Sequence, residues 1–568
     1  ERTQTWWDMV PAYHEYLSRC QFLLRRGLPV ADVCFLVAEG APHVFRPPAS
    51  ALRGDPPGPA GPAFDGCPPE TLMASAAVQD GRVVFPDGMS YRVLVLPERE
   101  TMTPALLRKV RDLVRAGATV VGPRPRKSPS LSGYPECDGE VERLAAEVWG
   151  ECDGERFTEK AFGLGRVVWV RARMGAPSGP AEESSAHPPA PADGSSGGSA
   201  AWSVGAPPLD EPAQYGDFAV VTDVLEKMSV SPDLQSDVPL RWAHRRDEGT
   251  EIYFVANPED RALETTASFR VSGKRPEIWD PVTGKTRKLF RDSDVEPKLV
   301  LLPTAATEHE SARFLPFEKD GRTQMSLRFE PFQAFFVVFR EEKRASAVGA
   351  EALARALRGG PSLDGASVEV TTLSGPWEVA FDPVWGGPEK IVFEELDDWS
   401  ARPEEGVRYY SGTAVYRKTF DLPREATRRG GRLWLDLGTV KNIAAVKLNG
   451  RDLGVVWCDP WRVEVTEAIE PKGNRLEVRV ANLWPNRLIG DEREPPDAEY
   501  ARNGRLVRWP DWLLRGEPRP SAGRFTFATW KHFTADSPLL SSGLLGPVKV
   551  KRTPPLPNRS ALAPRGKP

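Results

Sequence analysis

Cysteine is scarce in this chain, and its placement excludes more than its number. The six cysteines, Cys20, Cys34, Cys67, Cys137, Cys152 and Cys458, are spread over 568 residues, and none forms a C-x-x-C pair. Neither a zinc knuckle nor a dithiol redox motif is therefore offered. So few cysteines do not build a disulfide scaffold, although Cys137 and Cys152 could pair. Phosphate-cradling glycine patterns are missing too: no GxGxxG and no GxxxxGK[ST] occurs, which argues against nucleotide binding. There is no run of about 18 apolar residues, so no membrane span is expected. The formal net charge of −4 gives no global field that would draw nucleic acid. Glu1 to Trp7 carry no apolar signal-peptide core, and the first residue is not Met, so the chain reads as a fragment or processed product.

What is present is tryptophan, with 17 residues, on a background of 40% hydrophobic and 27% charged residues that suits a soluble globular protein. A chain of this length exceeds one hydrophobic core and divides into roughly three or four domains. Indole rings suit the C–H faces of sugars, and they equally suit the core of a β-sandwich.

Along the chain, Trp6, Val10, Tyr13, Leu17 and Cys20 recur at helical spacing and predict an apolar stripe ended by Gly27. Pro29 to Val37 reads as a buried strand of the parallel type. Arg92 to Pro97 is a second strand, Thr103 caps a helix opening at Pro104, Gly117 breaks it, and Ala118 to Gly122 is the next strand. This strand–helix–strand unit predicts a parallel α/β sheet with right-handed crossover. Residues 174–212, rich in Gly, Ser, Pro and Ala, read as a disordered linker. Beyond it the pattern turns to short alternating strands: Glu251 to Asn257, Arg275 to Pro281 and Pro331 to Phe339. A helix near Ala345 to Leu357 leads to a second β domain with strands at Leu373–Val379, Ala414–Phe420, Arg432–Leu437 and Asn474–Val480. There, Asn449-Gly450 signals a tight hairpin.

The motif order resembles glycoside hydrolase family 106, the inverting α-L-rhamnosidases. The pieces that carry the likeness are Arg2-x-x-Thr5-Trp6-Trp7, Tyr16 to Cys20, Val30-Ala31-Asp32-Val33, Leu94 to Pro97, Ala116 to Pro125 and Ser130 to Pro135. Two longer motifs follow, Asn482-Leu483-Trp484-Pro485-Asn486-Arg487-Leu488-Ile489-Gly490-Asp491 and Thr529-Trp530-Lys531-His532-Phe533 with Asp536 to Leu540. Val446 to Val480 is similar to the sugar-binding jelly roll of glycoside hydrolase family 2. The α/β segment looks like the amidotransferase-like accessory domain of β-galactosidases. Active cysteine amidotransferase chemistry is disfavoured, because Cys34 lies inside a strand, Cys67 precedes Pro68-Pro69 and no His-x-Glu occurs.

The resemblance implies a catalytic (β/α)₈ barrel upstream. Such a barrel needs about 250 residues, against about 35 ahead of the α/β domain here. The two carboxyl groups an inverting glycosidase requires would then belong to that barrel, and no acid or base is assigned here. The expected architecture is multidomain α/β plus all-β: an amidotransferase-like α/β domain followed by two β-sandwiches, the last a galactose-binding-like jelly roll. The boundaries are 1–35, a remnant of the barrel's end; 36–173, α/β; 174–212, linker; 213–345, β-sandwich; 346–365, connecting helix; 366–556, galactose-binding-like sandwich; and 557–568, loose tail.

Candidate substrate contacts are Arg2, Trp7, Glu39, Asn482, Asn486, Arg487, Asp491, Trp509, Trp512, Trp530 and His532. Arg2 and Trp7 could border a cleft, while Trp6 belongs to the apolar stripe. Glu39 follows a parallel strand, where ligands bind in open α/β sheets; it could meet a sugar hydroxyl or be a solvated loop residue. Arg and Asn offer forked donors to hydroxyl pairs, but Asn486 and Arg487 could equally tie a crossing loop to backbone, and Trp530 could fill the core. No cofactor is required by the sequence, and calcium is possible on the resemblance. The expected partner is a rhamnose-containing polysaccharide, and the resemblance implies a place outside the cytoplasm. The rival readings are a stand-alone carbohydrate-binding or structural module, and a family 2-like glycosidase fragment with another sugar specificity.

Overall fold

In the computed structural model, residues 3–40, 44–53, 58–59, 61–156, 158–171, 214–289, 316–340, 368–423 and 431–553 are described. The expected linker 174–212, connecting helix 346–365 and tail 557–568 lie outside them.

Side chains alternate across a strand, so a strand buried on both faces must be apolar at every position. Val33–Leu36 is such a strand, with all four residues fully buried. Its neighbours are Phe64–Cys67 on one side and Val93–Val95 on the other, then Thr119–Val121 and Gly165–Val168, all parallel; antiparallel Glu159–Phe162 closes the edge. In chain order the parallel strands run 2-1-3-4-5. One face carries Cys34, Leu94 and Val120 against the helices Pro104–Ala116 and Glu136–Trp149. The other carries Val33, Phe35, Val93 and Val95 against the helix Phe218–Lys227. That last helix corrects the expected boundary at residue 213. Phe218, Val221, Val224 and Leu225 form an apolar face that the parallel sheet, not the following sandwich, buries.

The middle sandwich packs a six-stranded sheet on a four-stranded one. The first has the order Leu28–Pro29, Arg241–Asp247, Thr250–Ala256, Ala334–Arg340, Arg275–Trp279, Thr286–Lys288. Its core includes Tyr253, Phe269, Phe329, Phe335 and Phe339. The last sandwich pairs a four-stranded sheet with a six-stranded one built around Thr413–Phe420, Asn474–Ala481 and Ile443–Leu448. Ile443–Leu448 and Arg451–Val456 form a hairpin whose turn residues Asn449 and Gly450 both take positive φ (53° and 82°), the conformation for which Asn-Gly is suited.

The first described residues join these units. Trp6 and Met9 pack with Ile443 and Ala481 of the last sandwich, and Tyr13 and Tyr16 set their rings edge-on to Trp457. Further along the same helix, Val10–Leu24, Cys20 and Leu23 pack on Ile252, Phe336 and Val338 of the middle sheet. The chain then adds Leu28–Pro29 to that sheet and enters the α/β domain.

A buried charge network ties the α/β domain to the middle sandwich. His244 Nδ1 lies 2.7 Å from Asp233 and Nε2 lies 2.9 Å from Glu251. Its ring stacks on Tyr253 at 3.8 Å, and the Tyr253 hydroxyl donates to Asp233. Arg270 reaches from Asp233 to Asp32 of the α/β domain at 3.4 and 2.9 Å, and Arg92 pairs with the same Asp32. Burial opposes charge on all three central groups. The mutual hydrogen bonds outweigh it, raising His244 and lowering Asp233, and Glu251 is held at about 2 with help from Arg246.

Candidate functional site

Ligands of open α/β sheets bind beyond the carboxyl ends of the strands, where the strand order switches direction. Here that switch lies between Val33–Leu36 and Val93–Val95, and the chain itself occupies it. Glu39 accepts from the Thr103 backbone N–H at 2.8 Å and the Thr103 hydroxyl at 2.6 Å, at the start of the helix Pro104–Ala116. The Tyr215 hydroxyl donates to the Leu36 carbonyl, and the Glu98 N–H donates to the Gln214 carbonyl. Glu39 is thus neither a purely solvated residue nor a fully free ligand group. Cys34 is buried within its strand, and its hydrogen bond with Cys67, together with burial, pushes its thiol up, away from thiolate chemistry.

Beside the switch, a cavity of about 380 Å³ opens between the ends of Val33–Leu36 and Phe64–Cys67, bordered by Glu39, Phe45, Gly66 and Glu70.

The second candidate region is the long excursion, residues 482–542, between strands Asn474–Ala481 and Gly543–Gly546. Its root is pinned by asparagines. Asn482, fully buried, donates to the Tyr410 carbonyl and Ser542 Oγ and accepts from the Gly412 N–H. Asn486 donates to the Leu540 carbonyl at 2.7 Å and accepts from the Leu540 N–H at 2.8 Å, bringing both ends of the excursion together. Arg487 donates to Asp491 at 2.9 Å and lies over the Phe525 ring at 4.8 Å. Asp491 also accepts from the N–H groups of Phe525 and Thr526 and from the Thr526 hydroxyl. The geometry of these four residues is that of a loop clamp.

The outer part of the excursion presents rings and charges. Trp530 is 43% exposed and borders a narrow cleft with exposed His532, Tyr500, Glu492, Arg519 and Arg524. Glu492 pairs with Lys531 at 2.5 Å and Arg524 at 3.3 Å. Asp497 binds Arg519 and accepts from the Ser521 hydroxyl; burial raises its carboxyl, and these bonds outweigh that and lower it. Trp512 donates to the Asp497 carbonyl and sits edge-on to Phe527, whereas Trp509, 51% exposed, stacks on Phe527 at 5.9 Å. Trp509 and Trp530 therefore offer open ring faces, and Trp512 is committed to packing.

The first residues meet the root of this excursion. Trp484 Nε1 donates to the Thr3 carbonyl at 2.6 Å, the Thr5 hydroxyl donates to the Asn482 carbonyl, and Trp385 sets its ring edge-on to Trp484. Trp7 is 37% exposed next to this contact, and Arg2 lies outside the described residues. Glu39 belongs to a different domain from the remaining candidates. Sequence reasoning missed Glu492, Tyr500, Arg519 and Arg524, whose pairings span loops without periodicity. It also missed His244, whose strand showed no sign of buried charge.

Among the described residues, no three His, Cys, Asp or Glu side chains converge to hold a metal ion. No residue is assigned to the calcium implied by the resemblance, and no step is routed through it. No helix among them is long and apolar enough to cross a membrane.

Two family patterns match the chain. The alpha-L-rhamnosidase pattern of glycoside hydrolase family 106 covers residues 1–176 and 214–292, and the glycosyl hydrolase 2 galactose-binding domain-like pattern covers residues 398–515. A rhamnosidase of known structure from Novosphingobium sp. PP1Y superposes with a TM-score of 0.67 at 28% identity, over 97% of this chain and 41% of its own. A Formosa agariphila protein bearing a provisional beta-glucuronidase name is 26% identical over 97% of this chain and 57% of its own length. The chain thus spans between two fifths and three fifths of these relatives. Residues 1–176 and 214–292 are thus similar to the family 106 α-L-rhamnosidases, and residues 398–515 to the family 2 galactose-binding-like domain.

Proposed function

We propose that this chain is the C-terminal part of a glycoside hydrolase resembling the inverting α-L-rhamnosidases that act on complex polysaccharides, and that it supplies scaffold and carbohydrate contacts. The observation that carries the reading is the seating of residues 3–24. They key into both sandwiches and touch the root of the excursion at Trp484 and Asn482. A catalytic barrel joined through this segment would stand beside the open faces of Trp509 and Trp530. Indole faces stack on sugar C–H surfaces, and the adjacent His532, Lys531 and Glu492 can exchange hydrogen bonds with hydroxyls. The amidotransferase-like α/β domain acts as scaffold in this reading. Its switch crevice is filled by Glu39 and Tyr215, and its Cys34 is buried.

The Formosa relative's name favours a second reading, a family 2-like glycosidase of different sugar specificity. Assaying this chain extended upstream, with aryl α-L-rhamnoside and aryl β-D-glucuronide in parallel, separates the two. Rhamnoside turnover with inverted product is the expected result; turnover of the glucuronide alone would transfer the chain to the second reading.

A further inference from the structure

We infer that the cavity at the ends of Val33–Leu36 and Phe64–Cys67 is a binding site for one neutral sugar residue, separate from the Trp530 cleft. Its volume of about 380 Å³ falls in the range of small-molecule pockets, about 300–1,000 Å³. One wall is the Phe45 ring. Phe35, Phe64 and Tyr215 hold it from behind, with centroids 5.7, 6.3 and 6.2 Å away. Gly66, exposed near the end of its strand, lets that ring lie against bare backbone: a Cβ there would come within 2.7 Å of it. Pro68 and Pro69 border the cavity with backbone whose φ is fixed by the ring.

Among the described residues that line it, the ionisable ones are Glu39 and Glu70, with no Lys, Arg or His. Thr103 fixes the Glu39 carboxylate in place, and each carboxylate oxygen has a second acceptor position for a hydroxyl. Two carboxylates and an aromatic ring in one lining suit vicinal hydroxyls on one side of a sugar ring and C–H groups on the other. The same two charges repel a uronate or a phosphate. The choice of L-rhamnose as first probe rests on the function proposed above; the site itself rests on its lining.

The test is saturation-transfer NMR on the purified chain, titrated with L-rhamnose and with D-glucuronate. L-rhamnose is expected to bind with millimolar affinity, weakened about tenfold in Phe45→Ala and in Glu70→Ala. D-glucuronate is expected to bind more weakly, and to gain in Glu70→Gln. Glu70 is exposed, so its variants keep the test decisive should Phe45→Ala unfold. Absence of transfer from L-rhamnose, or transfer that survives both Phe45→Ala and Glu70→Ala, would overturn the proposal. Transfer lost only in Trp530→Ala would place the sugar on the excursion, sinking this site while leaving the proposed function standing.

Discussion

Glu39 closes on Thr103 through two hydrogen bonds, one to the backbone N–H at 2.8 Å and one to the hydroxyl at 2.6 Å. A carboxylate at the first turn of a helix satisfies an otherwise unpaired donor and meets the positive end of the helix dipole. Replacing Glu39 by Ala is expected to cost about 1–2 kcal/mol of stability, and by Gln less, as read by urea unfolding.

His244, between Asp233 and Glu251, makes the stability of this buried network depend on pH. Its folded pKa is raised, so its contribution is complete below the unfolded value near 6.5 and fades as pH climbs through the folded one. Asp233 is lowered and Glu251 sits at about 2, so their contributions are complete above the unfolded carboxylate range near 4 and fade as pH falls. Unfolding free energy should thus contain a plateau between about pH 4.5 and 6.5 from this network. His244→Ala removes the imidazole shared by two buried carboxylates, leaving Asp233 with Arg270 and Glu251 with Arg246 and Lys274; it should cost about 3 kcal/mol and remove the alkaline decline in denaturant titrations of the parent.

Asp491 is the hub of the excursion's clamp, and its side chain and that of Arg487 are only 2% and 8% exposed. Asp491→Ala strands a buried guanidinium and the Phe525 and Thr526 N–H groups, with an expected loss of about 3–5 kcal/mol. Limited proteolysis should then cut within residues 492–540 first.

Trp530 and Trp509 predict the opposite pattern. Their rings are about half exposed, so alanine at either position should shift stability by less than about 0.5–1 kcal/mol. Calorimetric titration of the whole chain with rhamnose-containing oligosaccharides should show affinity falling several-fold in each variant. Unchanged affinity would remove these rings from the carbohydrate surface.

Much of the fold is local chemistry and was legible as such. Thr103 caps its helix and Gly117 ends it with φ 125°, while Asn449-Gly450 makes its hairpin. The helix Phe218–Lys227 was not legible as part of the α/β domain, because the sheet that buries it lies before residues 172–213 in sequence. Among the candidate site residues, identity spoke for Asn482, Asn486, Arg487 and Asp491 as polar groups of consequence. Their partners Tyr410, Leu540 and Thr526 decide between gripping sugar and gripping backbone, and those are 72, 54 and 35 residues away. His244 went unread because Asp233 and Glu251, only 11 and 7 residues away, meet it once the strands pair, and Arg270 carries the network on to Asp32 through domain packing.

The most direct measurement of the proposed role, that this chain supplies scaffold and carbohydrate contacts to a glycoside hydrolase, is an assay of the purified polypeptide on aryl α-L-rhamnoside. The account predicts no release of the aryl group. Steady release that disappears when one of the chain's own Asp or Glu residues is replaced would contradict it.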